Sequence, residues 1–315
     1  MARSQKIQQD PTRQGPNRKK ASRALEKRLK KILQFTLRRF RSIPRKRTQK
    51  KDIVNNQVFY EYDISATQFA ELRDNISTVS NEQLLESQDD PILPFWYYTA
   101  EIERPYRQGT IEEVAVINRL VDEATQAGIT AALIPLTKLN VEAVLNSRIF
   151  ADAFIQQLEG SIASISKLAG DTATDMYGVI NRGIQAGNSP RAIANEIIKR
   201  FEVAVSSADR IAVTEVNKAY NDAKINLGKA ASEELGFRSA VLHISALIPT
   251  TRAWHASRHG NTYTYESQQS WWNQGANRIN CHCTIQTVLV NPQGQPINKT
   301  LQDELKKEKV FFNQE

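Results

Sequence analysis

The chain has 315 residues, with 42 lysines and arginines against 34 aspartates and glutamates, a net charge of +8 and two cysteines. Mean hydropathy is −0.49, and no run of about 18 apolar residues occurs, so no segment reads as a membrane-spanning helix. Two cysteines exclude a disulfide framework, and an extended Cys-x-Cys pair spans too far for a relaxed bridge, so reduced thiols are expected. The length suits one large or two ordinary domains, and the basic start lacks the apolar stretch of a secretory signal.

The charge is divided unevenly. In residues 1–51, 19 lysines and arginines stand against Asp10 and Glu26, a net +17 that leaves −9 for the remainder. The first twenty residues are polar and are predicted to be disordered. After them Leu25, Leu29, Ile32, Leu33, Leu37 and Phe40 recur at helical spacing, with Ser22 placed to cap the start and Pro44 to limit the end. In "VFYEYDI" a short strand is predicted, and Phe69–Glu86 reads as weak helix. Pro91, Pro94 and Pro105 break the aromatic-rich stretch that follows, which reads as a packed loop or arm. A helix is predicted from Thr110, with Glu113 completing a capping box and Gly128 at the stop.

From Asn140 to about Gly187 the apolar period is that of long helix. A new helix opens at "NSPRAIANEIIKRF", with Ser189 as cap and Pro190 in the first turn, and a further helix ends at Gly236. "RSAVLHISAL" and "CTIQTVLV" then alternate and are β-branched, which predicts strands. The expected fold is mainly α with a small α+β C-terminal unit, in which two or three strands surround a Cys/His loop region. Four segments are expected. Residues 1–51 form a basic disordered arm with an amphipathic helix, 52–186 a helical body, 187–290 the Cys/His-containing unit and 291–315 a charged C-terminal tail.

All the cysteines and histidines fall between His243 and Cys283. If Cys281 begins a strand, Cys281 and Cys283 share a face. If "AWHASRHG" makes a helical turn, so do His255 and His259. These four side chains match the donor set of a tetrahedral zinc site, although structural zinc sites commonly space their cysteines by two to four residues. The alternative is a pair of small buried thiols with histidines supplying hydrogen bonds. Glu215 and Arg252 read as a structural ion pair joining helix to loop. Trp254, Trp271 and Trp272 read as core or interface aromatics.

The same residues carry a resemblance. Thr214, Glu215, Asn221 and Ala223, then Thr251, Arg252, His255 and Gly260, then Asn280, Cys281 and Cys283 resemble, in order, the signature of the Mu-F-like minor head proteins of tailed bacteriophages. The resemblance covers about residues 187–290. Two departures stand out: "SALIPTTR" offers no acid before Thr-Arg, and His282 stands where the family commonly has arginine. The resemblance implies a virion protein present in several copies near the portal vertex inside the capsid, and in host cytoplasm during assembly. Its partners would be the portal protein and possible contacts among major capsid or scaffold proteins, and its helical body would dock on the portal.

Basic clusters bind phosphate by releasing counterions, and nothing in the arm resembles a base-reading motif. The candidate contacts to double-stranded DNA are Arg18, Lys19, Lys20, Lys27, Arg28, Lys30, Lys31, Arg38, Arg39, Arg41, Arg45, Lys46, Arg47, Lys50 and Lys51. The apolar stripe of the arm keeps two further partners open, a groove on another protein and an anionic membrane. The favoured reading is a non-enzymatic head protein that assists assembly, packaging or delivery. The alternative is a metal-dependent nuclease or toxin-like effector with His255 or His259 as base, which the lack of clustered carboxylates disfavours.

Overall fold

The computed structural model describes residues 10–51, 58–86, 95, 98–128 and 137–312. Nine α-helices, one π-helix (Tyr98–Glu103) and five strands occur among them: α1 Gly15–Arg41, β1 Arg45–Lys51, β2 Val58–Tyr62, α2 Ala66–Leu84, α3 Arg104–Gln126, α4 Val141–Leu145, α5 Arg148–Gln185, α6 Pro190–Leu235, β3 Ser239–Ile244, α7 Ala253–Ala256, β4 Thr262–Tyr263, α8 Tyr265–Trp272, β5 Thr284–Leu289 and α9 Thr300–Phe312. They form two compact units, one of Met1–Lys19, Thr99–Glu159 and Val213–Glu315, the other of Lys20–Tyr98 and Gly160–Ala212. The boundaries fall inside α1, the π-helix, α5 and α6. The expected mainly-α fold with a small C-terminal sheet is what the chain adopts.

The second unit revises the reading of the N-terminal arm. Helix α1 starts at Gly15, so Ser22 is an interior residue whose hydroxyl donates to Asp209 Oδ1 at 2.7 Å instead of capping. The disorder expected through residue 20 is replaced by structure from Asp10 onward, while residues 1–9 lie outside the described residues. Leu25, Leu29, Ile32 and Phe40 are fully buried, together with Ala21 and Thr36. Burying each large apolar side chain is worth about 1.5–3 kcal/mol, so this stripe belongs to the protein's own core and is not a face for a partner groove or a bilayer. Strand β1, "RKRTQKK", has little β propensity of its own; it pairs antiparallel with β2, Arg45 opposite Tyr62 and Arg47 opposite Tyr60. The aromatic β2 supplies the packing: Tyr62 lies 6.2 Å from the Phe40 ring, and Tyr60 N–H donates to Gly187 O at 2.9 Å. Ser65 and Gln68 close a capping box on α2.

In the first unit α3 opens six residues before the expected start. Pro105 sits in its first turn, where a missing N–H costs nothing, and Thr110 lies inside the helix, donating to Tyr106 O at 3.0 Å. Pro91, Pro94 and most of the predicted arm around them lie outside the described residues. Gly109 lets α3 approach α6 closely, since a Cβ there would stand 2.3 Å from Tyr220 O. Ser189 caps α6 as expected, accepting from Ala192 N–H at 3.2 Å, and Gly236 ends it at φ +69°. The two helices expected between Ser189 and Gly236 are one, α6.

The sheet order is β4-β3-β5, all antiparallel, with His243 opposite Ile285 and Ser239 opposite Leu289. One core cluster joins Ile117, Leu120, Val121 and Ala124 of α3 to Ala231, Phe237 and Leu289; another joins Ile225 to Val241, Tyr265, Trp272 and Ile285. The predicted charged tail contains α9, which is docked. Gln302 Nε2 donates to Gly260 O at 3.1 Å, and Lys309 Nζ to Ser257 O at 2.7 Å.

Candidate metal centre

The segment carrying the cysteines is fixed by one face of α6. Asn280 N–H donates to Thr214 Oγ1 at 2.9 Å, Asn217 Nδ2 to Cys281 O at 2.6 Å, Asn221 Nδ2 to Cys283 O at 3.0 Å and Lys224 Nζ to Ile285 O at 2.6 Å. The spacing follows from two geometries. Four helical residues advance about 6 Å and two extended residues about 6.6 Å, so side chains at successive turns meet alternate carbonyls. Strand β5 is a sheet edge, and Lys224 supplies a hydrogen bond to its Ile285 carbonyl, while the other three bonds hold the segment that leads into it. Asn280, at φ +52°, adopts the left-handed turn that asparagine tolerates better than most residues. Arg18 reaches the same place. It is 8 % exposed, lies beside Asp10, and donates to Asn217 Oδ1 at 2.9 Å.

His255, Cys281 and Cys283 come together in a cluster able to hold a metal ion, with their donor atoms within 4.8 Å of one another and all three side chains buried. His255 Nδ1 is 3.6 Å from Cys281 Sγ and 3.4 Å from Cys283 Sγ. The cysteines lie just before β5, not in it, yet the extended chain still turns both sulfurs to one side. Cys283 N–H donates to Cys281 Sγ at 3.4 Å, and Ser245 Oγ is 3.6 Å from Cys283 Sγ. The Cys283 thiol beside it, and then His255, hold Cys281 below the usual thiol range. The same contact with Cys281, with burial, pushes Cys283 up.

His259, the expected fourth ligand, is elsewhere. Helix α7 ends at Ala256, so the turn that would stack His259 over His255 does not form. His259 Nδ1 accepts from Ser245 N–H at 3.0 Å, and its Nε2 lies 3.5 Å from Glu308 Oε2. Burial pushes His259 down to about 4. His243 is also apart, with Nδ1 3.2 Å from Gln268 Oε1; burial and then the Arg258 guanidinium push it down to about 3. The donor types suit zinc, but the expected four-ligand set is not assembled.

Arg252, expected to pair with Glu215, is placed beside His255 and the loop that precedes the cysteines. Its guanidinium donates to His255 Nε2 at 3.1 Å, to Ala276 O at 3.0 Å and to Ile279 O. Glu215 is buried on α6, and Asp222 and Arg278 tie the same helix to the loop through a two-pronged ion pair with both side chains largely buried. Trp272 is core, Trp271 stacks on Arg258 with 4.2 Å between guanidinium and ring centre, and Trp254 is half exposed. A pocket of about 240 Å³ opens onto the cluster, lined by Thr250, Thr251, Arg252, His255, Asn280, Cys281, His282 and Cys283 with Ala246 and Ile248.

The basic residues separate into two sets. Arg18 is buried, Arg28 donates to Gln83 O at 2.9 Å, Lys30 pairs with Glu26 and Lys46 with Glu61. Lys19, Lys20, Lys27, Lys31, Arg38, Arg39, Arg41, Arg45 and Arg47 are exposed. Lys50 and Lys51 belong to β1, and their side chains lie outside the description. The residues that sequence reasoning missed are Asn217, Asp222, Lys224 and Arg278. The signal for the first three was a polar stripe at positions 217, 221, 222 and 224 within an otherwise Ala- and Val-rich helix.

Residues 175–286 match the family described as Phage Mu protein F like protein. The cluster, the α6 face beneath it and the Asn280 turn all lie within the matched residues, which supports a Mu-F-like phage head protein. Comparison with curated proteins and with solved structures gave no match.

Proposed function

We propose, taking the Mu-F-like segment at residues 175–286 as the premise, that this protein is a structural, non-enzymatic component of the phage head. It sits inside the capsid at the portal vertex, contacts the packaged genome, and assists head assembly, packaging or delivery. The observation that carries the DNA contact is the run of Arg38, Arg39, Arg41, Arg45 and Arg47. All five are exposed, and none forms an ion pair with an acidic side chain among the described residues. Such a run neutralises phosphates without reading bases. The pocket beside the cysteines speaks for a structural role, because its described lining offers thiols, imidazoles and hydroxyls and no carboxylate for a hard catalytic cation.

Deleting residues 1–51 is a poor test, because it removes Leu25, Leu29, Ile32 and Phe40 from the core. The clean variant replaces the five exposed arginines by glutamine. Duplex DNA retention is measured against salt concentration, with circular dichroism as the check on folding. Each lost phosphate contact lowers the log–log slope by about 0.9, so the expected reduction for five is about 4.5. An unchanged slope in a folded variant would remove DNA contact by this segment while leaving the family assignment intact.

A further inference from the structure

His255 is held from both sides. On one side, Arg252 Nη1 lies 3.1 Å from His255 Nε2, and the guanidinium is anchored by the carbonyls of Ala276 and Ile279. A guanidinium only donates hydrogen bonds, so Nε2 presents its lone pair and the neutral ring carries its proton on Nδ1. On the other side, Nδ1 faces Cys281 Sγ at 3.6 Å and Cys283 Sγ at 3.4 Å. A metal on Nδ1 would need that lone pair and would move the proton to Nε2, where it would point at the N–H groups of Arg252. Metal-bound histidines show the reverse arrangement, donating the second ring N–H to a carboxylate, carbonyl or water.

From this conflict we propose that the cluster is a two-sulfur site. Cys281 and Cys283 take a soft, thiophilic monovalent cation, while His255, oriented by Arg252, donates a hydrogen bond to sulfur and does not ligate. Thiolates select soft ions. Two thiolates with one monovalent cation leave a single negative charge, which the neighbouring Arg252 guanidinium balances; a divalent ion would leave that guanidinium uncompensated. Each thiol releases its proton to solvent as the ion binds. The Cys283 N–H and the Ser245 hydroxyl already lie against the sulfurs, and the pocket of about 240 Å³ gives the ion a way in. Arg252 is thereby a positioning residue.

The test uses the full chain without oxygen, with copper(I) supplied from a competing chelator and cobalt(II) as the spectroscopic stand-in for zinc. The wild type takes up one copper(I) per chain and shows no cobalt–thiolate absorption. Cys281→Ser loses the copper, and His255→Gln keeps it. Arg252→Gln, whose amide oxygen can accept from Nε2–H, gains cobalt affinity by at least about tenfold, the scale on which outer-shell partners move metal binding. Tetrahedral cobalt–thiolate bands in the wild type that vanish in His255→Gln overturn the proposal, and so does failure to take up copper(I). Should His255→Gln not fold, the ¹⁵N imidazole spectrum of the wild type reads the tautomer directly: a protonated Nδ1 supports the proposal and a protonated Nε2 defeats it.

Discussion

Asn217, Asn221 and Lys224 line one face of α6 and Arg38, Arg39 and Arg41 crowd the last turn of α1, yet the first three are 3, 4 and 4 % exposed and the others face water. Both are clusters of polar side chains on a helix. What separates them is the opposing surface. The α6 face meets the carbonyls of Cys281 and Cys283 in the segment leading into β5, and of Ile285 within it, so its polar groups find buried partners. Nothing comparable stands over the α1 arginines among the described residues. A buried polar atom left without its partner costs about 1–3 kcal/mol, whereas an exposed cation costs little to remove, so the two faces should respond to mutation very differently.

The largest effect is expected where α3 crosses that same helix. Gly109→Ala places a methyl 2.3 Å from the Tyr220 carbonyl, which is backbone and cannot swing aside. Chemical denaturation should show a loss of about 3 kcal/mol or more. Gly170→Ala, with nothing within 4 Å, should be neutral or slightly stabilising, and equal losses at both positions would break the account of the crossing. Asn221→Ala leaves Cys283 O unpaired and removes the acceptor of the Thr284 hydroxyl, bonded at 2.8 Å. The expected loss is about 2 kcal/mol, with faster amide exchange at residues 283–286.

Acidification should act on the buried side alone. His243 and His259 are pushed down to about 3 and about 4, below the ordinary 6.5 of the unfolded chain. The unfolded state therefore binds the proton more readily. The stability contributed by each neutral ring is complete above pH 6.5 and falls as pH drops toward the folded values. At pH 5 each should have lost about 2 kcal/mol relative to pH 7. A flat stability profile between pH 7 and 5 would contradict the burial of both rings. The smallest effect belongs to the exposed face. Replacing Arg38, Arg39 and Arg41 by glutamine should change stability by less than about 0.5 kcal/mol per residue, while changing the salt dependence of DNA retention.

The sequence made legible those elements whose signals are local. The Ser189–Pro190 start of α6, its stop at Gly236 and the alternating strands around the cysteines need only neighbours within a few residues. What stayed hidden depended on distant partners. Strand β1 has no propensity to announce it and exists because β2 pairs with it. Thr110 resembled a cap because Glu113 follows three residues on, but Pro105 had already opened the helix, and Glu113 is fully buried, pushed up by burial, near Lys224, which burial pushes down. In the site, three of four expected ligands converge. The fourth was misplaced by an assumed helical turn that α7 is too short to provide. Arg252 was singled out, but its bonds to His255, Ala276 and Ile279 and the Asp222–Arg278 pair were not foreseen, because helix-to-loop partners cannot be chosen from spacing when Glu215 and Asp222 lie about two turns apart on the same helix.

The most direct test of the central claim, that this chain is a structural part of a phage head, is quantitative mass spectrometry of purified particles made from the genome that encodes it. The account predicts the protein in heads at a few copies per particle, retained after the particles are washed free of soluble proteins. Its absence from heads, with the chain recovered only from the soluble lysate, would contradict the account.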